Sequence, residues 1–409
     1  MKYGLVGKTL KHSFSKEIHS LIADYPYNLI ELSETEFDDF FKAKDFDGVN
    51  ITIPYKERVI PYLDYISDEA KSIGAVNTVV NKNGKLYGYN TDYLGLKSLI
   101  ERTGDINGKT VAILGTGGTS KTAYAVCESL KAKSIVKVSR NKTAGVITYD
   151  ELKNDYQSID VIINTTPVGT YPNIFDTPID LDGFNNLSLV IDVVYNPLET
   201  RLVQNAKEKN IKADGGLYML VAQAVKASAL FLDGDYDEKL TDKIYGVIKS
   251  QKQNIVLTGM PSSGKSTIGR ILADRLGREF IDTDQLIEKN ANKKIPDIIK
   301  EQGEVAFRRL ERDAIKEVSK LSNKIIATGG GVILNENNIL DLKLNGKIVF
   351  IDRSLDLLLP TSDRPLSSSK EDLKKRYDER YDIYLATADL TVNGDGTTKE
   401  GASEILRSI

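Results

Sequence analysis

Residues 254–267 read Asn254-Ile-Val-Leu-Thr-Gly259-Met-Pro-Ser-Ser-Gly264-Lys265-Ser266-Thr267. A short apolar run enters a loop of the form G-x-x-x-x-G-K-S, and Ile268, Ile271, Leu272 and Leu276 then recur at helical spacing until Gly277. Strand, loop and helix in that order form a complete phosphate-binding loop. Its backbone N–H groups cradle phosphates, Lys265 reaches the β and γ oxygens, and the Ser266 hydroxyl ligates Mg2+. Gly259, Ser262, Gly264, Lys265, Ser266 and Thr267 are therefore the candidate nucleotide residues. The loop names ATP or GTP but not the acceptor.

The same alternation of strand and helix runs along the whole chain, with β-branched runs at Tyr3–Val6, Tyr27–Glu31, Gly48–Ile53, Thr110–Leu114, Ile135–Val138, Val161–Asn164, Leu189–Tyr195 and Lys347–Ile351. This predicts an α/β fold with mainly parallel sheets. The polar run KSQKQ, Lys249–Gln253, separates a helical stretch at Glu238–Ile248 from the strand at Asn254 and marks the main boundary. A softer boundary falls near Asp92. The expected lobes are 1–92, closed by helices from about 217–250, then 93–216, then 253–409.

A second glycine turn, Gly115-Thr-Gly117-Gly118-Thr119-Ser120, follows the strand Thr110–Leu114 and opens a helix. That context suits a dinucleotide pyrophosphate at a helix N-terminus, although Ser120 replaces the third glycine or alanine. The next strand ends Val138-Ser139-Arg140-Asn141-Lys142. No carboxylate stands there to grip a ribose 2′-hydroxyl, and Arg140 offers a planar fork for a 2′-phosphate, so NADP(H) is expected.

The 409 residues carry 55 Lys+Arg against 58 Asp+Glu, a net charge of −3, which excludes a general basic field for nucleic acid or an anionic membrane. The expected partners are small molecules. Cys127 is the only cysteine and His12 and His19 the only histidines, so disulfide and zinc scaffolds are excluded and proton transfer falls to Lys, Asp, Glu or Tyr. With no signal-like N-terminus or long apolar run, a cytoplasmic enzyme is expected. The sequence sets no oligomeric state.

Residues 1 to about 250 resemble shikimate dehydrogenase. The resemblance rests on His12-Ser13-Phe14-Ser15, Asn50-Ile-Thr52-Ile-Pro54-Tyr-Lys56, Gly74-Ala-Val-Asn77-Thr78, Asn90-Thr91-Asp92, the Gly115 turn, Asn164-Thr165-Thr-Pro-Val-Gly169, Tyr195-Asn-Pro197 and Gly216-Leu-Tyr-Met-Leu-Val-Ala-Gln223. It implies that Ser13, Ser15, Thr52, Asn77, Asp92, Tyr195 and Gln223 hold shikimate, with Lys56 and Asp92 as the catalytic pair. It also implies NADP binding by Gly115, Gly117, Gly118, Thr119, Ser139, Arg140, Lys142, Thr165, Val193 and Gly216. A lysine beside an aspartate is chemically apt, because hydride reduction of a ketone leaves oxygen charge that a proton must meet.

Residues 253–409 resemble shikimate kinase through the phosphate loop, Phe280-Ile-Asp282-Thr-Asp284, Gly303-Glu-Val-Ala-Phe307-Arg308-Arg-Leu-Glu311, Gly329-Gly330-Gly331, Asp363-Arg364-Pro-Leu366 and Arg380-x-x-x-Tyr384. This implies that Asp284, Arg308, Gly330, Gly331 and Arg380 bind shikimate. It also implies that Asp282 helps Ser266 place Mg2+, that Arg364 closes over ATP, and that Lys265 and Asp284 are catalytic. The segment before Arg364 predicts a short lid. Arg309, Arg312 and Arg376 read as helix-surface charges, and Tyr377, Tyr381 and Tyr384 as helix packing. Two alternatives stay open: a quinate/shikimate dehydrogenase fused to a P-loop kinase, and a non-catalytic sensor of shikimate and nucleotides.

Overall fold

The structure is a computed structural model that describes residues 2–10, 14–359 and 369–409. Ser13 and Arg364 lie outside these residues, as does most of the expected lid. Two compact units divide the chain, Met1–Asn196 with Thr200–Ile248, and Pro197–Glu199 with Lys249–Ile409.

The first unit holds two sheets. In chain order its first part runs β1 (Tyr3–Gly7), α1 (Ser15–Ile22), β2 (Tyr27–Glu31), α2 (Glu34–Ala43), β3 (Gly48–Ile51), β4 (Tyr65–Ile66), α3 (Asp68–Ile73), β5 (Thr78–Lys82) and β6 (Lys85–Tyr89). The sheet order is β2-β1-β3-β5-β6-β4. Its pairing is mixed, with β5 antiparallel to both β3 and β6, so this sheet departs from the parallel expectation. The cause is local: Asn83 (φ 54°) and Gly84 (φ 80°) make a two-residue hairpin turn, which needs left-handed residues at both positions. Val6, Phe37, Phe41, Val49, Val79 and Leu86 pack one face; Tyr3, Leu5, Tyr27, Val80 and Phe231 pack the other.

The helix α4 (Thr91–Thr103) leads to β7 (Thr110–Leu114), α5 (Gly118–Ser129), β8 (Ser134–Ser139), β9 (Val146–Thr148), α6 (Tyr149–Asp155), β10 (Val161–Asn164), β11 (Leu189–Asp192), α7 (Arg201–Glu208) and β12 (Lys212–Asp214). Read from β9, the strand order is β9-β8-β7-β10-β11-β12 and every pair is parallel. This is the doubly wound dinucleotide-binding order, with its switch point between β7 and β10. Then α8 (Leu217–Phe231), mostly buried, packs on α4 where Gly95 leaves no room for a side chain, since a Cβ there would lie 2.6 Å from the Met219 carbonyl. The last helix, α9 (Glu238–Lys252), continues through the polar KSQK residues instead of stopping at Ile248. None of those residues breaks a helix, so polarity alone does not end it.

The second unit runs β13 (Asn254–Thr258), α10 (Lys265–Leu276), β14 (Glu279–Asp282), α11 (Thr283–Ala291), α12 (Ile295–Ser319), β15 (Lys324–Ala327), α13 (Glu336–Lys343), β16 (Gly346–Asp352), α14 (Lys370–Thr387), β17 (Leu390–Asn393) and α15 (Thr398–Ser408). Its parallel sheet has the order β14-β15-β13-β16-β17, with apolar cores on both faces. Gly303 (φ 82°, ψ 167°) breaks α12 and lets its second half start afresh at the Glu304–Glu311 turns. Among the described residues no helix is long and apolar enough to cross a membrane.

Candidate active sites

In the first unit a cavity of 370 Å³ opens beside the carboxyl ends of β1 and β3 and reaches the glycine turn region. Ser15, Thr52, Lys56, Asn77, Asp92, Tyr195 and Gln223 line it, together with Thr119, Val193 and Gly216 from the nucleotide side. Lys56 follows β3 in a turn pinned by its neighbour. Tyr55 is buried, stacks on Phe37 at 4.3 Å and donates its hydroxyl to the Leu32 carbonyl at 2.6 Å. The Lys56 Nζ donates to Asp92 Oδ2 at 2.5 Å. Asp92 stands in the first turn of α4, where the helix end favours a carboxylate, and Asn90 caps that helix by accepting from the Tyr93 N–H at 3.2 Å.

Around this pair, buried amides and hydroxyls hold one another. Asn77 Oδ1 accepts from the Thr91 N–H at 2.7 Å, and Thr91 Oγ1 donates to Gln223 Oε1 at 3.3 Å. Asn50 lines the cavity as well; Tyr27 donates to its Oδ1 at 2.7 Å and its Nδ2 donates to Thr78 at 2.9 Å. Asn50 opens a motif read from the sequence, but its own place in the site was missed. Only its burial, invisible in a motif, distinguishes it.

The glycine turn fits a dinucleotide. Gly115 has φ 105°, and a Cβ there would lie 2.9 Å from Thr165 Oγ1, so the ends of β7 and β10 meet only because this residue is glycine. At Gly117 and Gly118 a Cβ would meet nothing, which leaves the start of α5 open to a ligand. Ser120 is buried and donates to the Gly117 carbonyl at 2.6 Å, so the replacement of the usual third glycine is absorbed inside the turn. At the end of β8 the predicted residues are not alike. Arg140 is exposed, Ser139 closes on the Asn141 carbonyl at 2.6 Å, and Lys142 pairs with Glu151, the capping residue of α6.

In the second unit a cavity of 520 Å³ is lined by Ser262, Gly264, Lys265, Ser266, Thr267, Asp282, Asp284, Arg308, Gly330, Gly331 and Arg380. Gly259, the first residue of the loop, is not among the lining residues. Ser262 (φ 66°) and Gly264 (φ 92°) turn the chain so that α10 begins at Lys265. Lys265 is buried and donates to the Gly259 and Met260 carbonyls at 2.9 and 2.8 Å. Ser266 donates to Asp282 Oδ2 at 2.7 Å. A hydroxyl beside a carboxylate is a hard oxygen set suited to Mg2+, which keeps most of its own waters.

The three glycines 329–331 each make room for a neighbour. A Cβ on Gly329 would lie 2.6 Å from Asp284 Oδ1, on Gly330 3.1 Å from Pro261, and on Gly331 2.2 Å from Arg308 Nη1. Arg308 donates to both Glu311 oxygens at 3.1 and 3.0 Å and to Glu304 at 2.8 Å. Burial raises the Glu311 pKa above its ordinary value, opposed by Arg308 and aided by Asp284. Arg380 is 4% exposed, donates to the Gly330 carbonyl at 3.0 Å, and its buried Nε has no partner among the described residues. Burial, with Arg376 and Arg308 nearby, lowers its pKa.

Two charge readings and one packing reading from the sequence change here. Arg376 lines the cavity and is not a mere surface charge. Arg312 pairs at 2.5 Å with Asp341, a buried carboxylate on α13. Tyr384 is fully buried, and beyond packing its hydroxyl reaches the carbonyls of Gly259 and Gly330.

Residues 5–79 match the model of the shikimate dehydrogenase substrate binding domain, and residues 261–409 match that of shikimate kinase. A shikimate dehydrogenase (NADP(+)) of Clostridium beijerinckii is 39% identical over 265 residues, covering 61% of this chain and 98% of the relative. The crystal structure of shikimate dehydrogenase 1 from Peptoclostridium difficile is 39% identical, with TM-score 0.55, over 61% of this chain and 98% of that one. A chorismate mutase/shikimate 5-dehydrogenase fusion protein from Clostridium acetobutylicum is 37% identical, with TM-score 0.57, over 61% and 97%. The chain therefore belongs to the shikimate dehydrogenase family and carries a shikimate kinase domain after it.

Proposed function

We propose that the first unit reduces 3-dehydroshikimate to shikimate with NADPH and that the second phosphorylates the 3-hydroxyl of shikimate with Mg-ATP, in the cytoplasm. The observation that carries the first reaction is the Lys56–Asp92 contact of 2.5 Å inside a cavity that also holds Thr119 and Gly216. NADPH, when bound at the Gly115 turn, supplies the hydride. Lys56 gives a proton to the carbonyl oxygen as charge gathers on it, and Asp92 holds the ammonium in place and takes part in returning its proton. Ser13, Ser15, Thr52, Tyr195 and Gln223 bind the remaining hydroxyls and the carboxylate. Asn77, its amide oxygen already held by Thr91, offers its NH2 as donor. The exposed Arg140 binds the 2′-phosphate, with Ser139 beside it; Lys142 contributes only by giving up Glu151.

Support for the second reaction comes from Arg380, which lines a cavity shared with the phosphate loop and whose buried Nε has no partner among the described residues. Arg380 and Arg308 hold the acceptor carboxylate, a match of fork to fork. Asp284 orients the hydroxyl and accepts its proton, while Lys265 leaves its own carbonyls to span the transferring phosphoryl group. Ser266 and Asp282 would hold Mg2+, which would neutralise charge on the phosphates.

Shikimate or quinate, with NADP+ or NAD+, followed by cofactor reduction, and shikimate with Mg-ATP, followed by ADP release, test both assignments in one preparation. Shikimate with NADP+ and shikimate-dependent ADP release are the expected activities. Preference for quinate with NAD+ would favour the quinate alternative, and absence of both turnovers the sensor.

A further inference from the structure

Tyr384 sits where the two halves of the second site meet. It is fully buried, its ring stacks on Phe350 at 4.9 Å and 6°, and its hydroxyl lies 3.0 Å from the Gly259 carbonyl and 2.6 Å from the Gly330 carbonyl. Gly259 opens the phosphate loop. Gly330 belongs to the glycine triplet against which Arg308 and Asp284 pack. A phenol has one proton, so it satisfies one of these carbonyls fully at a time.

The other donors on those carbonyls decide which. Lys265 donates to Gly259 at 2.9 Å, and Arg380 donates to Gly330 at 3.0 Å. Once phosphates claim the lysine, the buried Gly259 carbonyl loses a charged donor and the tyrosine is its remaining side-chain partner among the described residues. The phenol proton then turns to Gly259, and Gly330 depends wholly on Arg380. That fixes the guanidinium of Arg380, a residue lining the acceptor cavity.

Resting on the kinase reading above, we propose that the Tyr384 hydroxyl is a positioning group that couples nucleotide binding to acceptor binding. It touches neither ligand. Coupling of this kind is reciprocal, so the acceptor tightens the nucleotide by the same factor. Reading it from the nucleotide side avoids the first unit, which also binds shikimate.

The full chain is titrated calorimetrically with the β,γ-imido analogue of ATP and Mg2+, with and without saturating shikimate. Wild type is expected to bind the analogue at least ~5-fold more tightly with shikimate. Tyr384→Phe keeps the ring and should bring that factor within about twofold of one; because it leaves the Gly259 carbonyl without a side-chain donor once Lys265 turns to the phosphates, it should also weaken nucleotide binding alone. Tyr381→Phe, which loses a hydroxyl from the same helix, should retain the wild-type factor. An undiminished factor in Tyr384→Phe, or a factor of one in wild type, overturns the inference. Should Tyr384→Phe not fold, hydrogen exchange in wild type decides: the analogue alone must slow exchange at Gly329–Gly331, and no slowing overturns the inference. No shikimate-dependent ADP release from wild type would instead overturn the acceptor assignment.

Discussion

The two glycine turns of this chain meet phosphate with different means. Around Gly117 and Gly118 the first offers open backbone at the start of a helix, with its nearest predicted cation, Arg140, exposed at the end of a neighbouring strand. The second buries an ammonium within the loop, and Lys265 is kept soluble in that setting by two backbone carbonyls. The chemistry explains the difference. A dinucleotide pyrophosphate is only held, whereas a transferred phosphoryl group develops charge that a fixed cation must meet. On the proposed function the reacting cation of the first unit is elsewhere, on Lys56, and it too rests on a partner, Asp92. Both lysines are thus satisfied before any ligand arrives, and on the proposed function each unit places its charge where its own bond changes.

That contrast is broken most directly at the lysines. Lys56→Ala should lower 3-dehydroshikimate reduction by about 100- to 10,000-fold while ADP release with shikimate stays near wild type. Lys265→Ala should do the reverse. Loss of both activities in either folded variant would mean that the sites are not independent.

The exposed cation of the first turn gives the next effect. Arg140→Ala removes a charge-assisted bond of about 1.5–3 kcal/mol, hence a loss of roughly 10-fold or more with NADPH and much less with NADH. Equal losses with both cofactors would remove Arg140 from the 2′-phosphate site.

A third difference lies in acid response, because only the first unit contains histidine. His19 is buried, stacks on Tyr27 at 3.8 Å and meets the Tyr25 hydroxyl at 2.6 Å; burial pushes its pKa down to about 3, offset in part by Asn50. The folded state therefore binds this proton less readily than the unfolded state. Its contribution is complete above the ordinary value near 6.5 and is lost as pH falls toward 3, about 2 kcal/mol by pH 5. Hydrogen exchange corrected for intrinsic pH dependence should show β2 losing protection over that window and β13 holding it. Parallel responses would contradict the assignment.

The smallest effect concerns the surface. Lys121, in the first turns of α5, pairs at 2.7 Å with Glu57, the residue after Lys56, but both are largely exposed. Lys121→Ala should cost less than about 1 kcal/mol in a denaturant titration, and the small loss should shrink further in salt.

How much of this was legible depended on how local the cause was. The strands Tyr27–Glu31, Thr110–Leu114 and Val161–Asn164 match their apolar runs residue for residue. The β5–β6 hairpin was missed although Asn83-Gly84 announces it, and with it went the mixed pairing of the first sheet. The motifs gathered most lining residues of both cavities, but Glu288, Ile295, Ile299 and Arg376 of the second and Leu5, Thr9 and Leu10 of the first fell outside them. Partnerships were not legible: Lys142 with Glu151, Arg312 with Asp341 and Tyr384 with two carbonyls each join residues from different elements. Spacing along one helix says which face a residue shares, and only packing says what stands opposite.

The central claim is that one chain carries out two successive steps on the same metabolite. The most direct measurement mixes the full chain with 3-dehydroshikimate, NADPH, ATP and Mg2+ and follows NADPH, shikimate and shikimate 3-phosphate together. The account predicts shikimate 3-phosphate accumulating to match the NADPH consumed, with shikimate passing through a transient. Shikimate that accumulates without phosphorylation, or NADPH left unoxidised, would contradict it.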